Sequence, residues 1–118
     1  MGQETLDGAT VQHLRATRTV PGKSDPATAA LLLDLATFDL YLDAGTFLPA
    51  ELAFNTHPSS NALQHVPIAI QLSGYQRESG IMAPMHVQKF LQRSLLIDIS
   101  VTSVAINSGL SPADFQIQ

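Results

Sequence analysis

Charge is what this chain has least of. Asp, Glu, Lys and Arg make up 14% of its 118 residues, against about 25% in an ordinary soluble domain. Apolar residues are at a normal 45%, so it is charge alone that is depleted. Lysine is represented only by Lys23 and Lys89, and lysine is among the residues that protein interfaces avoid. Cysteine is absent, which excludes disulfides, thiolate nucleophiles and cysteine metal sites without fixing a compartment. No apolar run reaches the length of a membrane-spanning helix. The net charge of −4 speaks against nucleic acid as the main partner, because phosphate binding needs several cations acting together. The two small basic groups, Arg15 with Arg18 and Lys23, and Lys89 with Arg93, read as solvated charges or local ion pairs. The start, Met1 to Asp7, is polar and acidic and has neither a signal-peptide nor a transit-peptide pattern, so cytoplasmic origin is the default expectation.

The missing charge is concentrated in two stretches. From Ala44 to Gln76 the only charged side chain in 33 residues is Glu51, and from Ile99 to Ala113 there is none. Both are rich in Ser, Thr, Asn, Gln, Gly or Pro, so they are neutral but polar. Free monomers keep themselves soluble with dispersed charge, and neutral polar surface of this length points to contact with other protein.

The length corresponds to one domain. Residues 1–8 read as an arm, flexible or ordered by a partner, and 9–118 as a single β-rich domain with a C-terminal tail. Thr10 to Val20 carries enough β-branched residues for a strand, which Pro21-Gly22 ends. Residues 26–36 admit two readings. Asp25-Pro26 has the form of an N-cap and first helical position, whereas alternation of Leu31, Leu33 and Leu35, slipping phase before Phe38, Leu40 and Leu42, fits a bulged strand. Asp43-Ala44-Gly45 supplies a turn that folds 38–48 into a hairpin, and Asn55 to Asn61 is a polar loop.

Val66 to Leu72 alternates as a strand, and Pro67 places it at a sheet edge or a bulge. Arg77-Glu78-Ser79-Gly80 turns the chain so that Ile81 to Ala83 pairs back. Val87, Phe90, Leu91 and Ser94 follow helical spacing, which predicts a short helix over 84–94 beginning at Pro84. Leu95 to Ile106 is the clearest strand, expected within the sheet. Ser111-Pro112-Ala113-Asp114 caps a final helical turn, with Leu110 and Phe115 at staple positions. The fold class that follows is mainly β, a small sandwich or barrel with one or two short helices.

Motifs for chemistry are few. Gly22-Lys23-Ser24 has the ending of a phosphate-binding loop, but that motif needs glycine where Thr17 stands. His13, His57, His65 and His86 are not spaced as paired metal ligands. His57 in its loop and His65 before a strand could meet an acid such as Asp98, giving a base with an orienting carboxylate. The simpler reading makes each histidine structural, and places Asp39, Asp43 and Asp98 on the solvent faces of strands beside Asp34 in its apolar segment. No catalytic, cofactor-binding or metal-ligating residue is therefore assigned, and no cofactor is expected.

Leu31 to Leu35, followed by Leu40 to Thr46, resembles the strand-turn pattern of small head-decoration proteins of tailed phages. The resemblance spans under a fifth of the chain, in generic hairpin features, and carries over no functional residue. The charge-poor stretches, the lysine shortage, strands whose edges need cover and terminal arms raise the expectation of a non-enzymatic structural subunit of a repetitive assembly: a virus or phage decoration, coat, connector or tail component in a virion or cytoplasmic assembly. Its partners would be copies of itself or other structural proteins. The alternatives are a small oligomeric ligand-binding module using the Asn55 to Asn61 loop with His57 or His65, and an enzyme of unknown reaction using His57 or His65 with Asp98.

Overall fold

In the computed structural model, which describes residues 1–19, 22 and 25–117, the chain opens with two strands, β1 (Gly2–Leu6) and β2 (Ala9–Thr17). The residues expected to be an N-terminal arm are thus an edge strand. The reason is local: Asp7 and Gly8 both take positive φ, 48° and 84°, the geometry of the two-residue turn whose twist matches that of the paired strands. Of the Pro21 to Ser24 segment, where the predicted strand break and the incomplete phosphate-loop motif fall, only Gly22 lies within the described residues.

Residues 26–36 take the helical option, as α1 (Pro26–Leu35). The Asp25 carboxylate accepts from the backbone N–H of Ala27 and Thr28, both at 3.1 Å, and Pro26 occupies the first turn where its missing N–H costs nothing. The helix therefore removes Leu31 to Leu35 from the strand-turn pattern behind the resemblance to decoration proteins. The alternating segment after it is β3 (Thr37–Asp43), and its turn at Asp43 leads into β4 (Pro49–Thr56).

β5 (Val66–Ser73) precedes a small separate hairpin, β6 (Gln76–Glu78) and β7 (Ile81–Ala83), formed where the Ser79-Gly80 turn was expected. The predicted helix over 84–94 is instead β8 (His86–Leu91), joined to β9 (Ser94–Ser100). Val87, Phe90 and Leu91 satisfy helical spacing, but the segment has pairing partners on both sides, and tertiary pairing overrides so short a local pattern. Gln92 and Arg93, both at positive φ, make the tight turn between them. A single 3-10 turn, Pro112–Phe115, ends the chain; Ser111 donates to Asp114 from its N–H and its hydroxyl, while Leu110 and Phe115 stay exposed.

The main sheet is antiparallel with the order β1-β2-β3-β4-β5-β8-β9. Two positions differ from expectation. β5 is central, with Pro67 near its start where a missing N–H disturbs the ladder least, and β9 is an edge. The ends β1 and β9 do not pair with each other, so among the described residues the sheet is open and not a closed barrel. Mainly β, with one α-helix and one short 3-10 turn among the described residues, is the fold class.

Strand register sorts the side chains. Directly paired residues share a face, which puts Glu4, Val11, His13, Asp39, Tyr41, Glu51, Gln71, Gln88 and Asp98 on one side. Leu14, Phe38, Leu40, Leu52, Phe54, Ile68, Ile70, Val87, Ile97 and Ile99 lie on the other. One face is therefore polar and hydrogen-bonded, and the opposite face is mostly apolar, with Gln12 and Lys89 among its aliphatic and aromatic side chains. Asp7, at the β1–β2 turn, reaches over the polar face to Gln71 of β5 at 3.3 Å.

The apolar face is poorly covered. Among the described residues Ile68 is its only buried hydrophobic, the other, Val11, lying on the polar face, and Ile97 and Ile99 of β9 are 43% and 48% exposed. The accessible surface is 8579 Å², whereas a compact monomer of this mass exposes about 6,200 Å². The radius of gyration is 17.7 Å, against about 13.5 Å for a globular chain of the same length.

Candidate functional site

Three clusters each join a histidine to an acid, and each is assembled by a different part of the fold. The first lies where α1 meets the far end of β4. Asp34 sits in the last turn of α1, His57 immediately follows β4, and His65 immediately precedes β5. His57 Nε2 is 2.7 Å and His65 Nδ1 3.0 Å from the same oxygen, Asp34 Oδ2, while the Asn55 amide donates to Asp34 Oδ1 at 3.2 Å. Burial pushes the Asp34 carboxyl up, but these three hydrogen bonds outweigh it and hold the group below its ordinary value, so it is a carboxylate at neutral pH.

The intervening loop prepares this convergence. Asn61 N–H donates to Pro58 O, Gln64 N–H to Asn61 O, and Leu63 N–H to Asn61 Oδ1, so residues 58–64 form turns that bring His57 and His65 together. The His57 side chain is 5% exposed, with Nδ1 at 2.7 Å from the Ala62 carbonyl. Both its nitrogens are engaged, which leaves none free for a substrate. His65, 57% exposed, is the accessible member. Asp34, His57 and His65 together offer three donor atoms within 4.8 Å of one another, and among the described residues they are the group that could hold a metal.

The second cluster is built on the polar face by β1, β2 and β3. His13 lies between two acids, Nδ1 at 2.7 Å from Glu4 and Nε2 at 2.8 Å from Asp39, and its ring stacks on Tyr41 at 4.4 Å. Arg15 donates to both oxygens of Asp39, at 2.8 and 3.3 Å. The hydrogen bonds to Asp39 and then Glu4 raise the His13 pKa against the opposing effect of burial. Asp39 is held low, first by Arg15 and also by His13, and Glu4 is held low chiefly by His13. A carboxylate on each ring nitrogen favours the doubly protonated form of His13, a cation between strands. Arg15 thus has the ion-pair role expected of it; Lys89 and Arg93 lie on β8 and in the turn after it, not on a helix.

The third cluster, on β8 and β9, is exposed. Asp98 accepts from Gln88 at 2.9 Å and lies 2.7 Å from His86 Nε2, and its pKa is lowered by Gln88 first and His86 second. The expected meeting of His57 or His65 with Asp98 therefore does not occur: Asp98 pairs with its cross-strand neighbours, and the acid that His57 and His65 meet is Asp34. Asp34 was visible in the sequence only as a lone carboxylate in an apolar run, and His13 only as one of four unpaired histidines, within a predicted strand. Asp43, the remaining acid singled out, caps its own turn, accepting from Gly45 and Thr46 N–H.

An open cleft of about 340 Å³ on the polar face is lined by Leu6, Asp7, Glu51, Gln71 and Phe90, with Gln71 donating to Glu51 at 3.0 Å. No family model matches the chain, nor does any curated protein or solved structure.

Proposed function

We propose that this chain is a structural subunit of a repetitive protein assembly and that copies of the chain cover its apolar sheet face. The observation that carries this reading is the surface excess. Exposed area exceeds that of a compact monomer by roughly 2,400 Å², and a standard protein contact hides about 800 Å² on each partner. Two apolar sheet faces laid together about 10 Å apart make a sandwich, so a second copy supplies the layer that one chain lacks.

Two further features support repetition over a simple pair. β1 and β9 leave unpaired ladder edges, and strands of neighbouring copies can extend the sheet there. The charge-poor stretches include β4, β5 and the segment after β9, surface that remains soluble without ionised groups only when covered. Of the assemblies that use such subunits, a virus or phage particle, through a decoration, coat, connector or tail component, is the one we favour.

Light scattering from micromolar to nanomolar chain, with hydrogen exchange on the same samples, tests this. Assembly at the upper end, with protection of β5, β8 and β9 amides that falls on dilution, is expected. A monomer at every concentration with an unchanged exchange pattern would overturn it.

A further inference from the structure

We propose that Asp34, His57 and His65 form a binding site for a divalent transition-metal ion of the zinc class. The inference is independent of the assembly reading, because it rests on a different part of the fold and on side-chain geometry alone. Two imidazoles and one carboxylate are the donors that such ions take.

Tautomer logic is the first argument. The Ala62 carbonyl can only accept, so His57 Nδ1–H is donated to it and His57 Nε2 is turned toward Asp34 Oδ2 at 2.7 Å. A neutral ring would then set a lone pair against a carboxylate. A second proton or a metal ion relieves that opposition, and at 2.7 Å the pair is closed on itself until a metal displaces the proton. A ligating histidine whose other N–H is fixed by a backbone carbonyl is the usual supporting arrangement of metal sites.

The carboxylate is supported in the same way. Asn55 holds Asp34 Oδ1, which leaves Oδ2 to face both rings. The rings approach edge to face, 5.1 Å between centroids at 68°, so their nitrogens converge from different directions on one point, as tetrahedral coordination requires. With metal–nitrogen and metal–oxygen distances of about 2.0–2.2 Å, tetrahedral ligand atoms stand about 3.3 Å apart. The present contacts to Asp34 Oδ2, 2.7 and 3.0 Å, need to open by about half an ångström, and the two ring nitrogens, within 4.8 Å of each other, to settle at the same spacing. Three protein ligands leave a fourth position for water or another donor.

The ion would act as a staple. Asp34 belongs to α1, whereas His57 and His65 bracket the β4–β5 connection, so a shared metal ties the helix to the sheet. Because it binds the folded chain and not the dispersed ligands, it raises thermal stability by mass action.

The test uses the full chain without a histidine tag, stripped with a chelator and titrated with Zn²⁺ and with Co²⁺. Calorimetry and Co²⁺ absorption should report a single site, and saturating Zn²⁺ should raise the melting temperature. The exposed His65→Ala change should weaken binding at least about tenfold while leaving the metal-free melting temperature little altered. Asp34→Asn should remove binding, and His86→Ala, in the separate β8–β9 cluster, should leave it intact. Co²⁺ should broaden the ring signals of His57 and His65 before those of His13 and His86. Absence of saturable binding by the unmodified chain, or binding as tight in His65→Ala, would overturn the proposal.

Discussion

His13 and Asp39 face each other across β2 and β3 with 2.8 Å between imidazole Nε2 and carboxylate, while Glu4 holds the opposite nitrogen of the ring at 2.7 Å. A histidine between two acids couples the stability of this end of the sheet to pH from both sides. The His13 pKa is raised on folding, so its contribution is complete below the unfolded value of about 6.5 and disappears as pH rises through the higher folded value. Asp39 and Glu4 are lowered, so theirs is complete above about pH 4 and disappears as pH falls through their lower folded values. Melting temperature measured from pH 3 to 9 should therefore peak between these limits. In His13→Gln the loss toward alkaline pH should vanish while the acid side persists; an unchanged alkaline slope would mean that His13 is not the cation in this cluster.

Asp25 caps α1 through two backbone N–H groups. Asp25→Ala should cost about 1 kcal/mol in urea unfolding, with Asp25→Ser recovering most of it. Helix content by circular dichroism should fall in the alanine variant first, since few other contacts hold α1.

Ile68 and Ile99 share the apolar face but differ in burial, 5% against 48%. Ile68→Ala should destabilise the chain by about 2–5 kcal/mol. Ile99→Lys should leave the dissociated chain nearly as stable as before and instead lower its apparent mass at micromolar concentration. A melting-temperature loss of equal size in both variants would show that the two positions are packed alike within one chain.

The turn of Gln92 and Arg93 asks two side-chain-bearing residues for φ of 48° and 68°. Each left-handed residue of this kind costs about 1–2 kcal/mol relative to glycine. Arg93→Gly, which converts the turn to a permissive one, should raise stability by about 1 kcal/mol. Denaturant midpoints at matched slope check this.

What the sequence made legible is what is local. The Asp25-Pro26 cap, the Ser79-Gly80 turn and the alternation of β5 and β9 each depend on neighbours within a few residues. The β1–β2 hairpin carries an equally local signal, Asp7-Gly8, which the polar start of the chain obscured. What required the structure is pairing at a distance. β8 matches helical and strand spacing equally well until β5 and β9 flank it, and alternation in β9 reads the same whether a strand is central or at an edge. The Asp34 cluster has the same character: its histidines were singled out as His57 and His65, but their acid lies 23 residues before His57, on a helix whose very existence was undecided.

The bare flank of β9 also has a meaning for how the protein must be made and stored. Its sequence, Ser94-Leu-Leu-Ile-Asp-Ile-Ser100, holds one charged residue and no proline to deter indiscriminate stacking of like segments, so fibrous precipitation from this strand is the hazard to guard against. A lysine placed on that flank is the practical remedy the architecture recommends.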